Sequence, residues 1–331
     1  MRLLLVKLSS LGDVVHTLPV VQDILSAMPD AQIDWVVEKA FAPLLMQVKG
    51  LHRIIPCELR RWRKSFWTEQ THREWRAFKA DLQMDGYDAV IDLQGLTKSA
   101  LVARLAKLTA TGKRYAMANP TDGSSYEAPT RWVADKAIEL EAHVHAVDRG
   151  RRLAALALGY AAPAAAKTPI YGLNTLKAKA NHSLVAPKLI ALIHGTSRLD
   201  KTWPPQHWVA LGQGLVAAGH RIMLVHGNPS ELSVSQAIAA QLGGRAEVLP
   251  LLALDALAHE LARCSGAIGV DSGVSHLAVA LGLPHVQIYN FDTAWRTGPQ
   301  GCAFQVNVFG SPCPTVDAVW QAWLACESAA T

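Results

Sequence analysis

The stretch MRLLLVKLSSLGDVVHTLP, residues 1–19, places a short apolar run before a small polar loop and a helical pattern. An apolar run of this length is typical of a buried strand in a parallel sheet. Open α/β sheets bind ligands at the carboxyl ends of such strands, which is where Asp13 falls. Asp13 therefore fits two interpretations, a ligand-facing group or a helix cap that stabilises the helix by about 1 kcal/mol.

The same alternation of strand and helix continues along the chain and predicts two Rossmann-like domains with a cleft between them. The predicted strands cover residues 3–7, 32–37, 53–56, 89–93, 114–117, 189–193, 221–225, 267–270 and 285–289. The predicted helices lie near residues 14–27, 66–84, 97–108, 133–158, 205–218, 230–241, 254–263 and 274–281.

A stretch rich in Ala, Pro and Lys separates the two sets and is typical of a linker. We predict a first domain at residues 1–165, a linker at 166–186 and a second domain at 187–313. Residues 314–331 are predicted to form an amphipathic helix that packs back on the first domain.

The composition is that of a globular protein: 50% of the 331 residues are hydrophobic and 18% are charged. The apolar runs are much shorter than the ~18 residues that cross a bilayer. The apolar core at residues 3–6 is also too short for a signal peptide, so we expect a cytoplasmic protein. The five cysteines are widely spaced and favour neither a zinc site nor a disulfide framework.

The net charge of +5 is concentrated in residues 51–79, which contain eight basic and three acidic side chains. The run RRWRK at residues 60–64 combines this charge with aromatic surface. An acidic small substrate, an anionic membrane surface and nucleic acid are all compatible with it, as is a plain solvated face. Nucleic acid is the weakest of these, because the remainder of the chain is neutral and no recognition motif accompanies the run.

Two further strand–loop–helix junctions are candidates for binding a diphosphate. HGTSRLDKTWP, residues 194–204, provides hydroxyls, backbone N–H groups and Lys201. GVDSGVSHLA, residues 269–278, opens a helix with Asp271, Ser272 and Gly273. The simpler alternatives are a polar loop with a solvated lysine for the first and a helix cap for the second.

Two observations restrict the chemistry. GQGLVA at residues 212–217 matches a dinucleotide fingerprint but lies inside a predicted helix, so a nicotinamide dehydrogenase is not expected. The chain contains no Asp-x-Asp, the usual metal-holding motif beside a sugar diphosphate. We therefore expect no metal or other cofactor, and we expect the Lys201 cation to neutralise the leaving group.

Together these motifs resemble those of the bacterial lipopolysaccharide heptosyltransferases of glycosyltransferase family 9, from residue 1 to about residue 290. The resemblance rests on six matches that follow one another along the chain: K-x-SS-x-GDV-x-HTLP at residues 7–19, DWVVE at 34–38, RRWRK at 60–64, YDAVID-x-QGL-x-KSA at 87–100, DK-x-WP at 200–204 and DSG-x-SHL at 271–277.

The resemblance implies an α/β GT-B fold, with two Rossmann-like domains facing across a cleft. It also implies metal-independent, inverting transfer of L-glycero-D-manno-heptose from an ADP donor to Kdo of Kdo2-lipid A. Asp13 would then be the general base, which must lie on the face opposite the leaving group. The implied donor-binding residues are Thr196, Ser197, Lys201, Glu231 at the ribose, Leu252 at the adenine, Asp271, Ser272, Gly273 and His276.

The resemblance also implies an acceptor site, because Kdo carries carboxylates and lipid A carries phosphates. Arginine binds such groups through two parallel hydrogen bonds. The implied acceptor-binding residues are Ser10, Arg60, Arg61, Arg63 and Lys64, with the inner leaflet of the membrane as a second partner for the basic run. A peripheral position on the cytoplasmic face of the inner membrane is therefore a further expectation.

Three other functions remain open. A neighbouring branch of the family uses the same donor on an acceptor that already carries heptose. A sugar-nucleotide epimerase or hydrolase could share the fold and would need no acceptor. A non-catalytic protein that binds anionic lipid would use the basic run and would not bind ADP.

Overall fold

The computed structural model describes residues 1–162, 164, 168–173 and 188–330. The chain divides into two compact units, Met1–Ala165 and Ala166–Thr331. Most of the predicted linker at 166–186 lies outside the described residues.

The first unit is a six-stranded, fully parallel sheet covered by helices. Its strands are β1 (Arg2–Val6), β2 (Gln32–Glu38), β3 (Arg53–Cys57), β4 (Tyr87–Asp92), β5 (Leu108–Met117) and β6 (Lys136–Ile138). Its helices are α1 (Leu11–Ala27), α2 (Ala42–Leu45), α3 (Leu59–Lys64), α4 (Glu69–Leu82), α5 (Thr97–Leu105), α6 (Pro129–Val133) and α7 (Ala146–Leu158). The strand order β3-β2-β1-β4-β5-β6 reverses between β1 and β4, which makes the carboxyl ends of these two strands the expected ligand edge.

The second unit repeats this architecture. Its strands are β7 (Leu189–Ile193), β8 (Arg221–Leu224), β9 (Ala246–Val248), β10 (Gly266–Val270), β11 (His285–Tyr289) and β12 (Gln305–Phe309). Its helices are α8 (Pro205–Ala217), α9 (Pro229–Ala239), α10 (Leu254–Ala262), α11 (Gly273–Ala280), α12 (Ala294–Thr297) and α13 (Val316–Ala330). The order β12-β11-β10-β7-β8-β9 places the reversal between β7 and β10.

A glycine permits the close packing at this second reversal. A Cβ on Gly269 would lie 2.8 Å from the Ile193 Cβ, and it would also collide with the Ser275 hydroxyl. Only glycine therefore leaves room at this position for both Ile193 of β7 and the Ser275 side chain of α11.

The predicted helix at 133–158 is wrong. The structure has α6, then the short strand β6, and only then α7. β6 pairs with β5 from Tyr115 to Met117, so sheet pairing overrides the local helical pattern. The predicted helix at 66–84 instead begins at Glu69, because Thr68 caps α4 by accepting a 3.2 Å hydrogen bond from the Thr71 N–H.

The prediction that the C-terminal helix packs back on the first domain is also wrong. The buried side chains of α13, Val319, Trp323 and Cys326, belong to the hydrophobic core of the second unit. A Cβ on Gly266 would collide with the Trp323 ring, so the sheet is shaped to receive this helix. Amphipathic periodicity predicts that a helix buries one face, but it does not identify the surface that covers that face.

Two other features bear on function. Gly212 and Gly214 lie inside α8, as predicted, and not between a strand and a helix. Among the residues that the structure describes, no helix is both long and apolar enough to cross a membrane.

Candidate active site

The first candidate site lies at the carboxyl ends of β1 and β4 and contains Asp13. One oxygen of the Asp13 carboxylate, Oδ2, accepts 3.0 Å hydrogen bonds from both the backbone N–H and the hydroxyl of Ser10. The other, Oδ1, lies 3.6 Å from the Lys7 ammonium. The Asp13 side chain is 38% exposed and that of Lys7 only 4%, so the site presents the carboxylate to solvent and hides the cation behind it.

These contacts keep Asp13 ionised. Burial alone would raise its pKa, but the Lys7 charge, the Ser10 hydrogen bonds and the Arg149 charge together lower the pKa below its ordinary value. The pKa of Lys7 is lowered mainly by burial, and Asp13 opposes that change. Asp13 therefore bonds the start of α1 as a capping residue does, while its charged side chain stays partly exposed.

The end of β4 supports this loop through residues of the matched run at 87–100 that were not among the predicted site residues. The Gln94 side-chain oxygen accepts hydrogen bonds from the N–H groups of Leu8 and Ser9, at 3.1 and 3.2 Å. Asp92 in turn accepts hydrogen bonds from the Gln94 N–H at 2.9 Å and the Ser99 hydroxyl at 2.9 Å. Burial raises the pKa of Asp92 to about 6 despite these donors. The loop before Asp13 is thus held by a neighbouring strand.

The basic run at residues 60–64 does not act as one unit. The Arg60 guanidinium reaches the Ser9 hydroxyl at 3.3 Å, and the Lys98 ammonium reaches the same hydroxyl at 3.0 Å. Arg63 and Lys64 are exposed on α3. Two cations thus meet beside the Asp13 loop. One of them, Lys98, was not among the predicted site residues, although it lies in the matched run QGL-x-K at residues 94–98.

Arg61 has a different environment from its neighbours. Its guanidinium binds the Glu58 carboxylate at 2.8 Å and also contacts the Glu74 carboxylate. The structure therefore makes Arg61 a link between α3 and α4. Its assignment to the acceptor stays a prediction, and its charge is already paired with two carboxylates.

The second candidate site lies at the carboxyl ends of β7 and β10 and is built on Asp271. Its Oδ2 lies 2.5 Å from the Lys201 ammonium, and its Oδ1 lies 3.3 Å from both His276 Nε2 and the Thr297 hydroxyl. Here the carboxylate side chain is 5% exposed and the lysine 18%, so the cation is the more accessible partner. Burial would raise the pKa of Asp271, but His276 and Lys201 lower it well below its ordinary value.

The other predicted diphosphate contacts surround this ion pair. The Thr196 hydroxyl donates to the Asp271 carbonyl at 3.3 Å, and Ser197 follows it as an exposed residue. Ser272 caps α11 by accepting a 3.4 Å hydrogen bond from the Ser275 N–H, and Gly273 begins that helix. Backbone N–H groups at a helix start favour an anion.

His276 lies behind the pocket rather than at its surface. The ring is 7% exposed and lies between Asp271 and Gln287, whose Nε2 is 3.4 Å from His276 Nδ1. It is therefore placed to brace Asp271.

Asn290 fixes the turn that carries Lys201, and it was not among the predicted site residues. Its side-chain amide donates to the carbonyls of Asp200 at 3.0 Å and Thr202 at 2.9 Å, on both sides of Lys201. Its position directly after β11, on the same edge of the sheet, was the available signal.

Glu231 and Leu252 follow the carboxyl ends of β8 and β9, the next two strands along the sheet. The Glu231 carboxylate accepts a 2.7 Å hydrogen bond from the Gly227 N–H. A Cβ on Gly195 would lie 2.7 Å from the Glu231 carboxyl carbon, so glycine lets this carboxylate reach the loop after β7. Leu252 is half-buried in the loop before α10. All the predicted donor residues thus lie along one edge of one sheet.

Among the described residues, no group of three or more His, Cys, Asp or Glu side chains is placed to hold a metal ion.

Comparison with known proteins identifies the family. The family model for glycosyltransferase family 9 (heptosyltransferase) matches residues 75–314. The chain is 38% identical over 290 residues to lipopolysaccharide heptosyltransferase 1 of Escherichia coli strain K12, covering 87% of this chain and 88% of that protein. The structure of E. coli heptosyltransferase WaaC with ADP matches with a TM-score of 0.86 at 34% identity, covering 97% of this chain and 98% of that one. The structure of the same enzyme with ADP-2-deoxy-2-fluoro heptose gives a TM-score of 0.82 at the same identity and coverage.

These matches confirm the predicted α/β fold of the GT-B type and the predicted glycosyltransferase class. They argue against both the epimerase or hydrolase and the non-catalytic lipid-binding protein. The chain belongs to glycosyltransferase family 9, the heptosyltransferases.

Proposed function

We propose that this enzyme transfers L-glycero-D-manno-heptose from ADP-L-glycero-β-D-manno-heptose to Kdo of Kdo2-lipid A, with inversion at the anomeric carbon. A relative at 38% identity is a lipopolysaccharide heptosyltransferase 1, and a structural match contains an ADP-heptose analogue. The reaction belongs to the building of the lipopolysaccharide inner core.

One observation carries the assignment of roles: the two sites expose opposite members of an ion pair. The accessible partner is Asp13 in the first unit and Lys201 in the second. An inverting transfer needs a base at the attacking hydroxyl and a positive charge at the departing diphosphate.

In the proposed step, an acceptor hydroxyl oxygen attacks the anomeric carbon of the heptose as its proton passes to the Asp13 carboxylate. The bond between that carbon and the diphosphate oxygen breaks, and ADP leaves with the electron pair. Lys201 neutralises the charge that develops on the diphosphate. Asp13 is suited to the first role because it is ionised and partly exposed.

The donor is assigned to the edge of the second sheet. Asp271 and His276 hold Lys201 in place there. Glu231 would bind the ribose, and Leu252 would contact the adenine. The groups assigned to the diphosphate are Lys201, Thr196, Ser197, Ser272 and the N–H of Gly273.

The acceptor is assigned to the first unit, where Ser10, Arg60, Arg63, Lys64 and Lys98 would bind the carboxylates of Kdo and the phosphates of lipid A. Arg61 is left out because its guanidinium already pairs with the carboxylates of two glutamates. We also propose that the exposed cations of α3 hold the enzyme on the anionic cytoplasmic face of the inner membrane.

The test is the release of ADP from ADP-heptose in the presence of Kdo2-lipid A, with the product identified by mass spectrometry. Asp13→Asn removes the base with little change of shape and is expected to lower kcat by about 10²–10⁴-fold while leaving the Kd for ADP unchanged. Asp30→Asn, an exposed aspartate on the loop after the same helix, is the matched control and keeps full activity.

Undiminished turnover by Asp13→Asn would rule out Asp13 as the base. A preference for an acceptor that already carries heptose would contradict the proposed acceptor.

A further inference from the structure

A cavity of about 580 Å³ lies between α3, α4 and α5 in the first unit, and the roles proposed above do not use its interior. Its walls are mainly Leu59, Trp62, Phe66, Trp75 and Leu101. The volume is within the 300–1,000 Å³ typical of small-molecule sites, and such sites have apolar walls with a few polar groups. The cavity therefore has the size and wall chemistry of a binding site for an apolar group.

Aromatic packing keeps the floor of this cavity in place. The Trp62 ring meets the Trp75 ring edge to face, with centroids 5.8 Å apart, and its indole N–H donates to Glu74 at 2.8 Å. Phe66 packs on His72 with centroids 5.4 Å apart, yet Phe66 remains 56% exposed. The wall is thus partly fixed, and part of its apolar surface faces solvent.

The polar lining is positively charged. Arg63, Arg76 and Lys98 contribute to the lining, and none of the lining residues is acidic. No ion pair with a carboxylate is found for these three cations within the described residues. A mainly apolar cavity whose charged lining groups are all cations is complementary to an anionic amphiphile.

Lys98 connects this cavity to the proposed base. Its ammonium donates to the Ser9 hydroxyl at 3.0 Å, on the loop whose next residue, Ser10, binds Asp13. A ligand with its apolar part in the cavity therefore has its anionic part near the loop where the acceptor hydroxyl must react.

We propose that this aromatic cavity binds one acyl chain of the acceptor lipid, with Arg63, Arg76 and Lys98 facing its anionic groups. The proposal rests on the proposed function, because it takes the acceptor to be an anionic lipid. The link through Lys98 to the Asp13 loop favours a chain of the acceptor itself over a chain of a surrounding phospholipid.

The first test measures binding without any sugar transfer. Octyl, decyl and dodecyl phosphate are titrated below their micelle concentrations, with calorimetry as one signal and intrinsic tryptophan fluorescence, to which Trp62 and Trp75 contribute, as another. Each added methylene that enters the cavity is expected to tighten binding about fourfold. Affinity that does not depend on chain length would overturn the proposal.

Leu101→Asp places a carboxylate in the wall at a residue that is 49% exposed, and Leu156→Asp makes the same change on α7 at a residue that is 54% exposed. We expect dodecyl phosphate affinity to fall at least tenfold in the first variant and to be unchanged in the second. Equal losses in the two variants would overturn the proposal, and thermal melting shows whether both variants are folded.

The second test compares transfer to Kdo-lipid acceptors with and without acyl chains. Leu101→Asp is expected to lower kcat/KM for the acylated acceptor about tenfold and to leave the deacylated acceptor unaffected. An equal effect on both acceptors would show that the cavity does not hold an acceptor chain. If the unmodified enzyme transferred heptose to neither acceptor, the proposed function would fail, while the alkyl phosphate titration would still decide whether the cavity binds a chain.

Discussion

The two units share one strand order and place a lysine and an aspartate at the same reversal point, but they use the pair in opposite ways. In the first unit Lys7 is buried and Asp13 is partly exposed; in the second Asp271 is buried and Lys201 is the more accessible partner. The relative burial of the lysine and the aspartate therefore determines which of the two charges is accessible to a ligand at the edge of each sheet. The same architecture can then provide a base in one domain and a cation for a leaving group in the other.

A second contrast concerns the aspartates at the ends of equivalent strands, Asp92 as the last residue of β4 and Asp271 directly after β10. Lys201 and His276 contact the Asp271 carboxylate directly, and its pKa is lowered. Asp92 is surrounded mainly by neutral donors, and its pKa is raised to about 6. A direct cationic partner is what separates the two, since burial acts in the same direction on both.

Apart from the loss of the proposed base itself, the largest effect is expected from removing the accessible cation of the second unit. Lys201→Met should lower kcat/KM by about 10²–10³-fold and weaken ADP binding, because the developing diphosphate charge loses its partner. Lys201→Arg, which keeps the charge, should retain much more activity. Steady-state kinetics with ADP-heptose and calorimetry with ADP measure both quantities.

Lys201→Met also leaves Asp271 buried with fewer partners, so a loss of folding must be separated from a loss of binding. The double variant Lys201→Met/Asp271→Asn removes both charges and should recover thermal stability without recovering turnover. Recovery of turnover in the double variant would contradict the role given to the lysine.

The next effect concerns stability and tests the contrast between Asp92 and Asp271. Because the pKa of Asp92 is raised to about 6, the native state keeps a proton that the unfolded state loses from about pH 4 upward. Stability contributed by this group is therefore present at low pH and lost as the pH rises toward 6, by about 1–3 kcal/mol. Asp92→Asn should remove the contribution of this group to the pH dependence of the free energy of unfolding.

Urea unfolding at pH 4.5 and pH 7 measures how much the free energy of unfolding changes with pH in the parent chain and in Asp92→Asn. Subtracting the change in the variant from the change in the parent cancels the contributions of the other carboxylates. An identical pH dependence in both chains would show that Asp92 is not the carboxylate that burial perturbs.

The smallest effect concerns the hidden cation of the first unit. Lys7→Met removes the strongest influence that lowers the pKa of Asp13, so that pKa should rise. Because the proposed base acts when it is ionised, the acid limb of the pH profile of kcat/KM should move to higher pH. Lys39→Met, at a lysine that is 71% exposed, is the control and should leave the profile unchanged.

Much of this arrangement can be predicted from sequence because parallel strands bring their carboxyl ends to one edge. Asp13, Lys201 and Asp271 each follow a buried strand closely, so local patterns place them. Contacts between residues that are distant in sequence cannot be predicted from local patterns. Arg61 binds Glu74, which is thirteen residues away, and Lys98 binds Ser9 across 89 residues.

The fold shows the same limit. Buried strands such as β1 and β10 are evident from their apolar runs. The short strand β6 exists because β5 offers an edge, and α13 packs where Gly266 leaves room for Trp323. Both depend on a partner that local periodicity does not reveal.

The division of roles between the two units is tested most directly by measuring ADP affinity and turnover side by side in Asp13→Asn and Lys201→Met. We expect Asp13→Asn to bind ADP as the parent enzyme does and barely to turn over, whereas Lys201→Met should lose both affinity and rate. Weakened ADP binding in Asp13→Asn together with unchanged ADP binding in Lys201→Met would contradict this division.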